Sequence, residues 1–245
     1  MSAPTAPTTI LFDLDDTLFD HWATARAALA AALAERPELE TGDFETLYRR
    51  HSALLEELHP QVLAGRYTPD AARQLRFRRL LAPHGAAGWS DEAVAGFALA
   101  QYGHYQRLRR PVAGAPALLA ALNSSGCRVG IVTNNRTAVQ QDTLAALDLD
   151  RWVEELVTSE AAGVAKPDPR IYHVALERLG CRPEQAVMVG DSWENDVVGA
   201  LAAGIRPVWL NRFAAAGGPA RGTHVAEITG LEPLAQVLAK IQGRG

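Results

Sequence analysis

Cysteine is scarce in this chain. Of 245 residues only two are cysteines, Cys127 and Cys181. Neither stands in a CxxC or Cys/His spacing, which removes zinc fingers, zinc ribbons and dithiol redox pairs from consideration. The expectation is two buried thiols in a reducing cytosol. Long apolar runs are missing too, and none approaches the roughly 20 residues that a helix needs to span a bilayer. The opening MSAPTAPTT has neither a basic patch nor an apolar stretch, so it does not read as a signal peptide. Positive charge is not in excess: 24 Lys and Arg face 28 Asp and Glu, a net charge of -4. That balance argues against affinity for a nucleic acid polymer or for an anionic membrane. The chain therefore reads as cytoplasmic and directed at a small molecule, its oligomeric state left open. An anionic substrate would need a local cation.

What is present is ordinary globular material, with 48% hydrophobic residues and a clear change of texture along the chain. Residues 1–8, rich in Pro, Thr and Ala, read as a flexible tail. Thr9–Phe12 is a short apolar run of the kind buried on both faces of a parallel sheet. Residues 21–108 then carry four stretches at helical spacing: Ala23–Glu35, Asp43–Leu58, Thr68–Leu81 and Ser90–Leu108. Asp43, Thr68 and Ser90 are good N-cap types, and Pro69 suits a first helical position. Past Pro111 short apolar runs alternate with amphipathic ones. Strands are expected at Arg128–Thr133, Leu156–Ser159, Ala186–Gly190, Pro207–Leu210 and Val225–Ile228. Helices are expected at Ala115–Asn123, Thr137–Leu147, Arg170–Gly180, Trp193–Ala203 and Leu231–Ile241, with a surface loop at Gly217-Gly218-Pro219. This alternation gives an α/β fold class: a doubly wound, Rossmann-like parallel sheet, formed by residues 9–20 and 109–245. An all-helical domain, 21–108, is inserted after its first strand.

Ligands of open α/β sheets bind at the carboxyl ends of the strands, so the residues delivered there matter most. The first strand runs into Asp13-Leu14-Asp15-Asp16-Thr17. GIVTNN ends in Thr133-Asn134-Asn135. The loop after the third core strand carries Lys166 before Pro167, and AVMVGDSWEND ends in Asp191 with Asn195 and Asp196 behind it. Several carboxylates at the end of a dry sheet repel one another unless a divalent cation joins them, and hard oxygen ligands suit Mg²⁺. Such a cation could bridge Asp13, Asp191 and a substrate phosphoryl group. Phosphoryl transfer also needs a nucleophile, for which Asp13 is best placed, and a proton donor, for which Asp15 is. Thr133, Asn134 and Lys166 would hold the phosphoryl oxygens, and Asp16 reads as a bystander.

Taken in order, these four segments resemble the signature motifs of the haloacid dehalogenase superfamily, and the helical insert is similar to its helical type of cap domain. The resemblance covers nearly the whole chain. It implies a phosphatase that hydrolyses a small phosphorylated metabolite through an aspartyl phosphate on Asp13, with Asp15 as acid and base. Mg²⁺ would be held by Asp13, the Asp15 carbonyl and Asp191, supported by Asp196. The segments Val164–Tyr172 and Val208–Arg212 are most similar to nucleotidase-like and phosphoglycolate-phosphatase-like members. A nucleoside 5′-monophosphate is thus the first candidate substrate, with phosphoglycolate or a sugar phosphate as alternatives and phosphomutase or dehalogenase activity further off. One departure is Asn135, where relatives commonly have Gly or Ser. In the insert, His21, Trp22, Tyr48 and His51 read as core aromatics or surface histidines and are not assigned to binding.

Overall fold

Residues 7–214 and 225–243 are described by a computed structural model of the chain. They form two compact units, residues 1–20 with 110–245 and residues 21–109. The expected loop at Gly217–Pro219 lies outside the described residues.

The first unit is built on six parallel strands: β1 (Thr9–Phe12), β2 (Arg128–Thr133), β3 (Glu155–Thr158), β4 (Ala186–Gly190), β5 (Arg206–Leu210) and β6 (Ala226–Ile228), in the spatial order β3-β2-β1-β4-β5-β6. This is the doubly wound order, and its reversal point lies between β1 and β4. All four residues of β1 are buried, as a central parallel strand with helices on both faces requires. Phe12 sits level with Ile131 of β2 and with Val189 of β4, so the residues just beyond these three strands meet at one sheet edge. Chain entry differs from expectation. Pro7 is buried, and Thr8 extends the sheet, its N–H donating to the Gln185 carbonyl at 3.0 Å and its carbonyl accepting from Arg128 N at 2.9 Å. The two thiols are free, as expected, but half-buried rather than sealed.

Helices α5 (Ala115–Ser124), α6 (Thr137–Ala146), α7 (Ser159–Ala162), α8 (Pro169–Arg178), α9 (Gly199–Ala202) and α10 (Leu234–Gln242) belong to the same unit. The helix expected from Trp193 is irregular. Trp193–Val198 winds as a wider π turn before α9 takes over, a distortion common beside functional groups. Packing explains the glycine at the junction. A Cβ on Gly199 would come within 2.9 Å of the Tyr172 ring and 3.0 Å of Pro167 Cα, so only glycine lets this turn lie against α8.

The second unit contains α1 (His21–Ala34), α2 (Phe44–Leu63), α3 (Pro69–Leu81) and α4 (Asp91–Arg107) around a core that includes Leu29, Leu54, Phe77, Leu80 and Phe97. The oxygens of Asp43, Thr68 and Ser90 accept from Thr46 N, Ala71 N and Ala93 N at 2.8–3.2 Å and so cap α2, α3 and α4. Helix α2 runs past its expected end at Leu58, carrying Pro60 inside it. Among the described residues no helix is long and apolar enough to cross a membrane.

Candidate active site

At the end of β1 the Asp13 N–H donates to Val189 O at 2.9 Å, extending the ladder one residue past the strand. The chain then turns sharply. The N–H groups of Thr17, Leu18 and Phe19 converge on the Leu14 carbonyl, and Asp16 takes a left-handed backbone with φ 61°. An Asp tolerates that geometry better than most residues. Asp16 is part of the turn: its carbonyl accepts from Arg212 Nη1 at 2.9 Å, and Arg212 Nη2 also reaches Asp20 at 3.0 Å.

Lys166 lies at the centre of the site. Its ammonium donates to Asp13 Oδ1 at 2.6 Å and to Asp196 Oδ1 at 2.7 Å, with only 5% of the residue exposed. The lysine is fixed through its main chain. Asn134 accepts from Lys166 N at 2.7 Å and donates to Lys166 O at 2.9 Å, so both ends of one side-chain amide grip one residue. The Asn134 side chain, expected near phosphoryl oxygens, thus also positions the lysine loop.

Asp196 is almost wholly buried and accepts from Ser192 N at 3.0 Å as well as from Lys166. Its place depends on Gly190, because a Cβ there would overlap the Asp196 carboxyl group. Asp191 accepts from the Thr17 hydroxyl at 3.3 Å, and its carbonyl takes the indole N–H of Trp209 at 2.9 Å.

Carboxylate oxygens of Asp13, Asp191 and Asp196 all lie within 4.8 Å of one another, close enough to share a metal ion. Three carboxylates and one ammonium leave two uncompensated negative charges, which a single dication would balance. The electrostatics express the same imbalance. Burial pushes Asp13 well above the usual carboxylate range; Lys166 opposes this, while Asp196, Asp191 and Asp15 add to it. Asp191 is raised to about 7, first by burial and then by Asp196 and Asp16. For Lys166, burial favours the neutral amine, but Asp13 and Asp196 outweigh it and hold the ammonium protonated. An all-oxygen donor set of this charge fits a hard divalent cation.

The Asp15 carboxylate does not join that cluster. Its Oδ2 accepts from Gln140 Nε2 at 2.9 Å and from Asn135 Nδ2 at 3.3 Å. Gln140 Nε2 donates also to Thr133 Oγ1 at 2.9 Å, tying the end of β2 to the turn after β1. Gln140 is fully buried, and its Oε1 finds no partner among the described residues. Sequence reasoning missed Gln140 altogether. It shares the inward face of α6 with Thr143 and Leu144, and nothing in the helical periodicity marks it.

Comparison with known proteins gives a consistent relationship. Residues 7–204 match the family model described as haloacid dehalogenase-like hydrolase. The chain is 32% identical over 204 residues to glyceraldehyde 3-phosphate phosphatase of Pyrococcus abyssi, covering 82% of this chain and 80% of that protein. It is 34% identical over 239 residues to the plasmid-encoded phosphoglycolate phosphatase of Cupriavidus necator, covering 94% and 93%. Among solved structures, the magnesium-bound HAD-hydrolase YfnB of Bacillus subtilis superposes with a TM-score of 0.74 at 24% identity, over 95% of this chain and 99% of that one.

Proposed function

Because the chain belongs to the haloacid dehalogenase-like hydrolase family, we propose that it is a Mg²⁺-dependent phosphatase of small phosphomonoesters, with Asp13 as the nucleophile. The observation that carries this reading is the Asp13 carboxylate, held at 2.6 Å from a buried lysine beside two further acids at the sheet edge. Mg²⁺, when bound, would supply the dication that neutralises these acids and polarises a phosphoryl oxygen. Asp13, Asp191 and the Asp15 carbonyl would hold it, with Asp196 alongside.

The chain's own residues divide the reaction into two displacements. Asp13 attacks phosphorus, forming an aspartyl phosphate as the bond from phosphorus to the leaving oxygen breaks. Asp15, protonated at the start, gives its proton to that oxygen. In the second half Asp15 takes a proton from water, the resulting hydroxide attacks phosphorus, and Asp13 leaves with inorganic phosphate released. Gln140 and Asn135 hold Asp15 by one oxygen, which leaves the other for the proton. The Thr133 hydroxyl accepts from Gln140, so its own hydrogen turns to a phosphoryl oxygen, while Lys166 neutralises charge there. Asn134 acts through Lys166 by fixing its peptide. An acid at position 15 favours phosphoryl transfer over carbon–halogen cleavage, which needs no proton donor for its halide.

Residues 21–108 are read as a cap-type domain and residues 9–20 with 109–245 as the catalytic core. The Pyrococcus and Cupriavidus relatives are phosphatases of three-carbon and two-carbon phosphates, which supports a small, phosphorylated metabolite as substrate; a cytoplasmic setting belongs to the same reading. Incubation with a generic aryl phosphate and Mg²⁺ should release inorganic phosphate, and quenching should leave a phosphoryl adduct on the peptide containing Asp13. Phosphate release with no adduct, or an isomerised sugar phosphate without release, would overturn the assignment.

A further inference from the structure

The helical unit holds a buried cation that lacks a counter-ion. Arg76, on α3, is 8% exposed, yet its guanidinium forms no ion pair and no hydrogen bond among the described residues. Its Nε is sealed from solvent without an acceptor. His51, on α2, is 2% exposed, and neither ring nitrogen has a partner among those residues. The two side chains share one neighbour. The Arg76 Cζ lies 5.0 Å from the centre of the Phe77 ring, and the His51 ring lies 5.7 Å from it.

Nothing in the folding of four helices demands this pair. A buried arginine without an acid carries a desolvation penalty that its cation–π contact does not return. An apolar residue would serve the core better. The chemistry of the pair points one way. A guanidinium offers five donors and no acceptor, and a neutral imidazole adds one N–H. Burial first, and then the charges of Arg76 and His21, push His51 well below its ordinary value and keep it neutral. Arg76 is lowered to about 10, by burial and then by Arg73, and stays charged at neutral pH. The other cation nearby, Arg73, is already paired with Asp70 at 2.7 Å and lies over the Tyr102 ring. Donors are thus in surplus, so the missing partner is an acceptor with negative charge.

We infer that Arg76 and His51 form an oxyanion-binding site within the helical unit, taking a carboxylate or a phosphate group of a small molecule. Either group presents two or more oxygens to a planar guanidinium, which suits bidentate recognition. The ligand is a free small anion, and its binding does not depend on the phosphatase reading.

The test titrates the full chain with malonate and separately with inorganic sulfate while NMR follows the His51 ring resonances. A saturable shift with either anion is expected, and Arg76→Met should weaken that affinity about tenfold to a hundredfold, the range for a hydrogen bond to a charged group. His51 resonances unmoved by both anions in the wild-type chain would overturn the inference, as would equal affinity in Arg76→Met.

Discussion

The sheet edge and the helical unit handle buried charge in opposite ways. At the edge, Lys166 has carboxylates at 2.6 and 2.7 Å, and acid still outnumbers base. In the helical unit, Arg76 is buried with no acid paired to it among the described residues. Neither arrangement is what stability alone would select, since replacing buried charge by well-packed apolar groups is often neutral or favourable. The sign of the surplus states what is wanted. Excess carboxylate calls for a cation, and excess donor calls for an anion.

The sharpest way to break this comparison is to remove the edge's reactive group. Asp13→Asn should lower aryl phosphate turnover by at least about a thousandfold, the scale seen when a nucleophile is deleted, while the circular dichroism spectrum is unchanged. Turnover within tenfold of wild type would reject the nucleophile. Next, Lys166→Met leaves Asp13 and Asp196 facing each other without their cation. It should destabilise the metal-free protein by about 3–5 kcal/mol at neutral pH in urea unfolding, the cost of breaking a buried pair. A loss below about 1 kcal/mol would mean that the acids already carry protons there.

Gly190→Ala is a geometric test of the same cluster. Its methyl would overlap the Asp196 carboxyl, and a loss of about 1–3 kcal/mol is expected for overpacking of this kind. Magnesium sharpens the comparison through pH. Asp191 titrates at about 7 when folded against 3.8 when unfolded. Between those values the native state holds a proton that the unfolded chain has lost, so metal-free stability falls as pH rises from about 4 to 7. The gain in Tm from added Mg²⁺ should therefore be larger at pH 8 than at pH 5, and equal gains would contradict the charge imbalance. The smallest effect is expected from Gln140→Leu. Loss of one donor to Asp15 should cut kcat roughly tenfold with KM little changed. A purely structural role would lower stability and leave kcat in place.

Much of the site was legible because its chemistry sits at strand ends. Four apolar runs stopped at Asp13, Thr133, Gly190 and the loop before Lys166, and parallel topology brings such ends to one edge. The helical insert showed itself through Asp43, Thr68 and Ser90, whose side chains do cap their helices. What stayed hidden has a common cause. Gln140, the Asn134 grip on Lys166 and the buried state of His51 all depend on which distant side chain arrives opposite, and no local period encodes that. His51 shows it most plainly: a histidine on an otherwise mixed helix gives no sign of whether it faces solvent or the Phe77 ring. The π turn at Trp193 escaped notice for a related reason, since its winding is tied to Gly199 meeting Tyr172 across the fold.

Asn134 holds the peptide of Lys166 rather than its head group, and that has a practical corollary. Trimming the lysine back to glycine would spare both amide bonds, so the loop would keep its course around an emptied, walled slot. A short alkylammonium ion added from solution is the natural filler for such a slot, and restoration of turnover in proportion to its concentration would show the loop to be a frame standing independently of the charge it carries.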